Sequence, residues 1–133
     1  MATIHRFEDL EIWQLARTLY KKLSVVARKL RKDHEYRFAD QLKAAAGSTM
    51  DNIAEGFGRA SRLEFLNSLS IAKGECSENQ SQIYRLLDDE YISKTEFDDL
   101  YKDSDILIKQ ITRLIDYLNR SSIKGMKFKD RKK

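Results

Sequence analysis

No proline occurs anywhere in the 133 residues of this chain. At the usual abundance of about 5%, roughly six or seven would be expected. Proline lacks the backbone N–H and clashes with the preceding turn, so helix interiors exclude it. Its absence, with only five glycines, constrains the chain to a few long helices and short links. A charged fraction of 35%, against a norm of about 25%, suits helices with one buried stripe and a solvated remainder. The length fits one domain around a single core.

The apolar positions agree with that constraint. A first stripe runs Phe7, Leu10, Trp13, Ala16, Leu19 or Tyr20, Leu23, Val26 or Ala27, and Leu30, in steps of three and four, the helical period. It stops in Arg31-Lys32-Asp33-His34, where Asp33 is placed to cap the next helix. A second stripe runs Phe38, Leu42, Ala45 or Ala46, Thr49 or Met50, and Ile53. It ends near Gly56, suited to the left-handed position that follows a helix. Ala44-Ala45-Ala46-Gly47-Ser48 thins the middle of this helix for a close neighbour.

Ser61-x-x-Glu64 is a capping box that opens a third stripe: Phe65 or Leu66, Leu69, Ala72, Cys76, Ile83, and Leu86 or Leu87. Gly74 inside it costs about 1 kcal/mol relative to alanine, which points to close helix contact. Ser93-x-x-Glu96 is a second capping box. Phe97, Leu100, Ser104, Leu107, Ile111, Leu114 and Leu118 follow it with a near seven-residue repeat. The helices are expected at about 8–31, 35–56, 62–90 and 94–120. Short links force antiparallel neighbours. The expected fold is therefore all-α, an antiparallel up-down-up-down four-helix bundle over residues 1–121, followed by a basic tail over 122–133.

Net charge is +4, and the tail holds Lys124, Lys127, Lys129, Arg131, Lys132 and Lys133 against Asp130, a net of +5 that leaves −1 on the rest. On that sum the acids of the bundle balance its bases, and the tail carries the basic character. Such a tail either binds phosphates or is a solvated end. Phe128 among its lysines could stack on a base. Within the bundle, Lys43, Arg59, Arg62 and Lys73 are the candidate phosphate contacts.

Enzymatic and metal chemistry find little support. Cys76 is the single cysteine, which excludes an intramolecular disulfide and a thiolate cluster. It lies on the apolar stripe, as a core thiol does. Neither His5 nor His34 follows a glutamate by three residues, as a di-iron bundle requires. No acid, base and nucleophile converge, so no enzyme, metal or other cofactor is expected. Gly56-x-Gly58 lacks the preceding strand and following lysine of a phosphate loop and reads as a helix corner. No apolar run approaches the ~20 residues of a membrane span. The opening residues lack the apolar core of a secretion signal, so a soluble cytoplasmic protein is expected.

One polar feature stands out. Gln41, Ser48, Asn52 and Glu55 share a face of the second helix, with Arg59 just beyond. Solvated faces are normally lysine- and glutamate-rich, whereas this one mixes amide, hydroxyl and carboxylate. It is either a stitch that fixes the corner or a contact surface for another copy or a ligand.

Three ordered blocks resemble a known family. Phe7-Glu8-Asp9-Leu10-Glu11-Ile12-Trp13-Gln14-Leu15-Ala16 is similar to the opening of the bacterial four helix bundle proteins, also called 23S rRNA intervening-sequence proteins. Gln41-Leu42-x-x-Ala45-Ala46 and Ser48-x-x-x-Asn52-Ile53-Ala54-Glu55-Gly56-x-Gly58-Arg59 resemble its second block. Glu64-Phe65 and Ile71-Ala72-Lys73-Gly74 with Glu78 resemble its third. The resemblance covers about residues 7–118. It implies a bundle that assembles into a ring-like homo-pentamer, without catalytic activity. A related branch, the accessory variability protein of diversity-generating retroelements, binds a reverse transcriptase and nucleic acid. The expected function is thus a non-enzymatic oligomeric accessory protein that binds RNA or DNA. The alternative is a protein–protein scaffold.

Overall fold

The computed structural model describes residues 3–120. Four helices account for most of them: α1 (Glu11–Lys32), α2 (Tyr36–Gly58), α3 (Arg62–Asp88) and α4 (Lys94–Arg120). Each packs on the next in chain order and α4 closes on α1, giving an antiparallel four-helix bundle. The basic tail lies outside the described residues.

The core is built from the expected stripes. Leu19, Leu23 and Leu30 of α1 meet Leu42 and Ile53 of α2, Leu69, Ile83 and Leu86 of α3, and Leu107 and Ile111 of α4, all essentially sealed from solvent. Burying each such side chain is worth about 1.5–3 kcal/mol. The α1–α4 seam is the lightest of the four and is laced by ions instead. Lys22 Nζ bonds Asp99 at 2.8 Å and Asp103 at 2.6 Å, and Lys29 reaches Glu96 at 3.9 Å.

The helix ends differ from the sequence expectation in instructive ways. α1 starts at Glu11 rather than near residue 8. Phe7–Asp9 form a separate 3₁₀ turn, and Leu10 is extended. That turn folds Phe7 edge-on against Trp13, with ring centroids 5.1 Å apart. Asp33 does not cap α2, which begins after Glu35 without a side-chain cap. Its carboxylate accepts the Tyr91 hydroxyl at 2.9 Å instead, pinning the first link to the last.

Gly56 is not in the left-handed position either. It lies inside α2, which continues to Gly58, and the left-handed residue is Ala60 with φ 54°. His34 and Glu90 take the same conformation after α1 and α3. At these two ends, Glu35 N donates to Leu30 O and Tyr91 N to Leu86 O. These bonds satisfy the last carbonyls without a glycine. The Ser93 capping box forms in full and the Ser61 box in half, the Glu64 carboxylate turning to Arg59 instead of Ser61 N. Ser61 Oγ accepts from Glu64 N at 3.4 Å, while Ser93 and Glu96 exchange bonds of 2.8 and 3.1 Å.

Gly74 is the clearest correction. A β-carbon there would meet nothing within 4 Å among the described residues, so no described helix packs on it. The close contact belongs to Gly56, against Ser68.

Candidate functional site

The polar stripe on α2 resolves into separate jobs. Asn52 Nδ2 donates to the Ser48 carbonyl at 2.9 Å and to Ser48 Oγ at 3.0 Å, within its own helix. Arg59 Nη2 bonds Glu55 at 2.9 Å, and its Nη1 reaches Glu64 across the link at 3.4 Å. Glu55 first and then Glu64 hold the Arg59 guanidinium above its ordinary pKa. Glu55 and Arg59 thus stitch the α2–α3 corner. Gln41 lies farther up α2, exposed to solvent.

The structure brings Asn52, Glu55 and Arg59 together with Glu64, Asn67, Ser68 and Ile71 around a shallow groove of about 330 Å³ between α2 and α3. Its two carboxylates outnumber its one guanidinium, so it is a poor receptor for phosphate. The other candidates in the bundle do not join it. Lys43 turns towards α1, with Nζ 5.6 Å from the centre of the Tyr20 ring. Arg62 and Lys73 are half-buried on α3. Lys124, Lys127, Lys129, Arg131, Lys132 and Lys133 lie outside the described residues.

A stronger basic feature was passed over. α1 carries Arg17, Lys21, Lys22, Arg28, Lys29, Arg31 and Lys32 against the single acid Glu11, a net of +6. With +4 overall, +6 on α1 and +5 on residues 122–133 leave −7 on everything else. The bundle balances in sum but not in place. Lys22 and Lys29 are answered by α4, and Arg31 pairs with Asp40 of α2. Arg17, Lys21, Arg28 and Lys32 are exposed and take part in no ion pair among the described residues. The signal was present in the sequence as a 21-residue run, from 12 to 32, without an acid. Summing charge over the whole bundle averaged it away.

Buried polarity on α3 was also missed. Asn79 is fully buried between Cys76 and Ile83; its Nδ2 donates to Leu42 O at 3.3 Å and to Gln82 Oε1 at 2.8 Å. Its Oδ1 has no partner among the described residues. The spacing 76–79–83 is itself a core repeat, so position 79 could have been read as buried despite its polarity.

Little of this resembles a reaction centre. Among the described residues no three His, Cys, Asp or Glu side chains are grouped to hold a metal ion. Cys76 is sealed, its Sγ donating to Ser104 O at 3.6 Å, and burial pushes the thiol up to about 12. No described helix is long and apolar enough to cross a membrane.

A family model described as 23S rRNA-intervening sequence protein matches residues 8–113. No curated protein matches the chain. Among solved structures, a protein of unknown function from the S23 ribosomal protein family of Bacteroides thetaiotaomicron is similar at a TM-score of 0.73 and 22% identity, covering 78% of this chain and 97% of that one. At that identity the likeness speaks for the fold alone.

Proposed function

The chain belongs to the 23S rRNA-intervening sequence protein family, and from that premise we propose that it is a non-enzymatic accessory protein that binds nucleic acid through its phosphates. One observation carries this reading: positive charge is segregated onto α1, +6 there, while α2–α4 with their links are acidic in sum. A field divided in this way attracts a polyanion to one side and repels it from the other. Binding by phosphate contacts releases counterions and weakens steeply with salt. A filter-binding titration of the full chain against RNA and DNA tests it. Salt-sensitive retention is expected, and no retention of either at low salt overturns the reading.

Self-association is a second reading, favoured by a different face. On the outside of α3, Leu63 is 67% and Ile71 45% exposed. Between and beyond them the exposed positions Ser70, Gly74, Ser77 and Ser81 follow steps of four, three and four. Small side chains on one helix face let a second helix approach closely, and α3 has the weakest polar–apolar division of the four helices. A homo-oligomer, with the ring-like pentamer as its form, accounts for the bare Gly74 that no described helix of the same chain covers. The groove beside it, with Asn52 and Glu55, would form its rim. In such an assembly the α1 faces of several copies repeat around an axis and their fields add. A protein partner, such as a reverse transcriptase, is the alternative occupant of the same face.

A further inference from the structure

The geometry points to the outer ridge of α1 as the surface that seats a double-stranded nucleic acid, its phosphates met by Arg17, Lys21, Arg28 and Lys32. This rests on the nucleic-acid reading above and adds the place and the form of the ligand. Steps of four, seven and four put the four cations on one face, and all are exposed. From first to last they span about 22 Å at 1.5 Å per residue. Gln14, Thr18 and Val25 fill the rest of the ridge, so no acid interrupts it.

The flanks explain why these charges stay available. On the α4 side Asp99, Asp103 and Glu96 are engaged by Lys22 and Lys29. On the α2 side Asp40 is taken by Arg31. The ridge is not optimised for the fold, although Arg17 lies over Trp13 and Lys32 stands in the last turn of α1, where a cation suits the helix dipole. Arg17 with Lys21, and Arg28 with Lys32, are like-charged pairs at four-residue spacing, which weaken a helix. A polyanion laid along the ridge removes that repulsion.

The form of the ligand follows from shape and aromatic content. Single-strand binders combine a basic groove with aromatic platforms on which bases stack. This ridge is convex, and the rings beside it are covered: Arg17 sits 5.7 Å over Trp13 and Lys43 5.6 Å over Tyr20. A straight row of charges on a rigid rod suits the fixed phosphate lattice of a duplex. A lipid surface is disfavoured because the apolar side of α1 is already spent on the core, leaving only Val25 exposed, at 48%.

The test is fluorescence polarisation of the full chain with a short DNA duplex, the matching RNA duplex and the single strand, each across a salt series. Two neutralised variants are compared: Arg17→Gln/Lys21→Gln/Arg28→Gln/Lys32→Gln, and one with all six tail cations changed to glutamine. The ridge variant is expected to lose duplex affinity and to flatten the log–log salt slope by about 3.6, four contacts at about 0.9 each. The tail variant loses less. Arg17→Lys/Arg28→Lys, which keeps the charge and the fold, should keep the binding; its failure to bind overturns the proposal. A wild-type chain that binds no nucleic acid sinks the nucleic-acid reading itself. A wild type that binds, with a ridge variant that binds equally well at an unchanged slope, overturns only the location. Equal affinity for the single strand overturns the form. Capture by anionic phosphatidylserine vesicles as tight as by duplex overturns the class of ligand, and preference for one duplex over the other identifies the source of the phosphates while supporting the site.

Discussion

Gly56 of α2 and Ser68 of α3 leave no space between them: a β-carbon on Gly56 would stand 2.4 Å from Ser68 Cβ and 2.8 Å from its Oγ. Ser68 Cβ is anchored to the backbone, so only a shift of one helix could make room. Alanine gains about 1 kcal/mol of helix propensity over glycine, but overpacking a tight contact costs about 1–3 kcal/mol. Gly56→Ala is therefore expected to lower stability by about 1 kcal/mol net. Gly58 lies two residues on with nothing within 4 Å, and Gly58→Ala should leave stability unchanged or raise it. Urea unfolding midpoints distinguish the two, and a stabilising Gly56→Ala would show that the contact is not tight.

Asn79 supplies a second test. It is fully buried, and its Nδ2 holds α3 to the Leu42 carbonyl of α2. Asn79→Asp keeps the shape but removes that donor and places a carboxylate among the Leu42 and Gln82 oxygens. An uncompensated buried charge costs about 3 kcal/mol or more. The new carboxyl would have a raised pKa when folded, so the loss is present at neutral pH and shrinks on acidification through that pKa. Thermal melts at neutral and mildly acidic pH check this; a melt shift independent of pH would contradict it.

Cys76 sets an alkaline limit. Its thiol is held up to about 12 by burial, against 9.0 for the ordinary group. A raised folded-state pKa means its contribution is whole below pH 9 and is lost as pH rises from there towards the folded value. Wild type should therefore lose more stability above pH 9 than Cys76→Ala does, although the variant starts lower. Thiol labelling of the native chain should be slow and become fast on unfolding. Prompt labelling in native buffer would mean that Cys76 is not sealed.

The α3 face predicts assembly. Leu63→Glu with Ile71→Glu, both at exposed positions, should reduce the mass seen by light scattering without lowering the helical signal. Asn52→Leu with Glu55→Leu, at the rim of the same face, should alter that mass as well. If both pairs leave the mass unchanged, the copies do not meet there.

The fold was legible because spacing carries it. Phe97 to Leu118 repeat every three or four residues, and the structure buries all of that stripe but Leu114, which is half-buried. Ser93 and Glu96 announce their helix by local hydrogen bonds that need no tertiary context. Part of what failed depended on neighbours distant in sequence. Whether Gly56 or Gly74 meets a helix is decided by the packing of α3 against α2. Which cations remain unpaired is decided by Asp99, Asp103 and Glu96, about 70–80 residues beyond the lysines that they hold. Arg59 looked available and is held by two carboxylates. Arg17 and Lys21 drew no attention as a site, and they have no ion pair among the described residues.

The most direct measurement is an amide chemical-shift map of the labelled full chain titrated with a short duplex. The largest changes are expected on the exposed face of α1 between Arg17 and Lys32, with the α2–α3 groove around Asn52 and Arg59 unaffected. Changes centred on that groove, or none on α1 while the duplex is bound, would contradict the account.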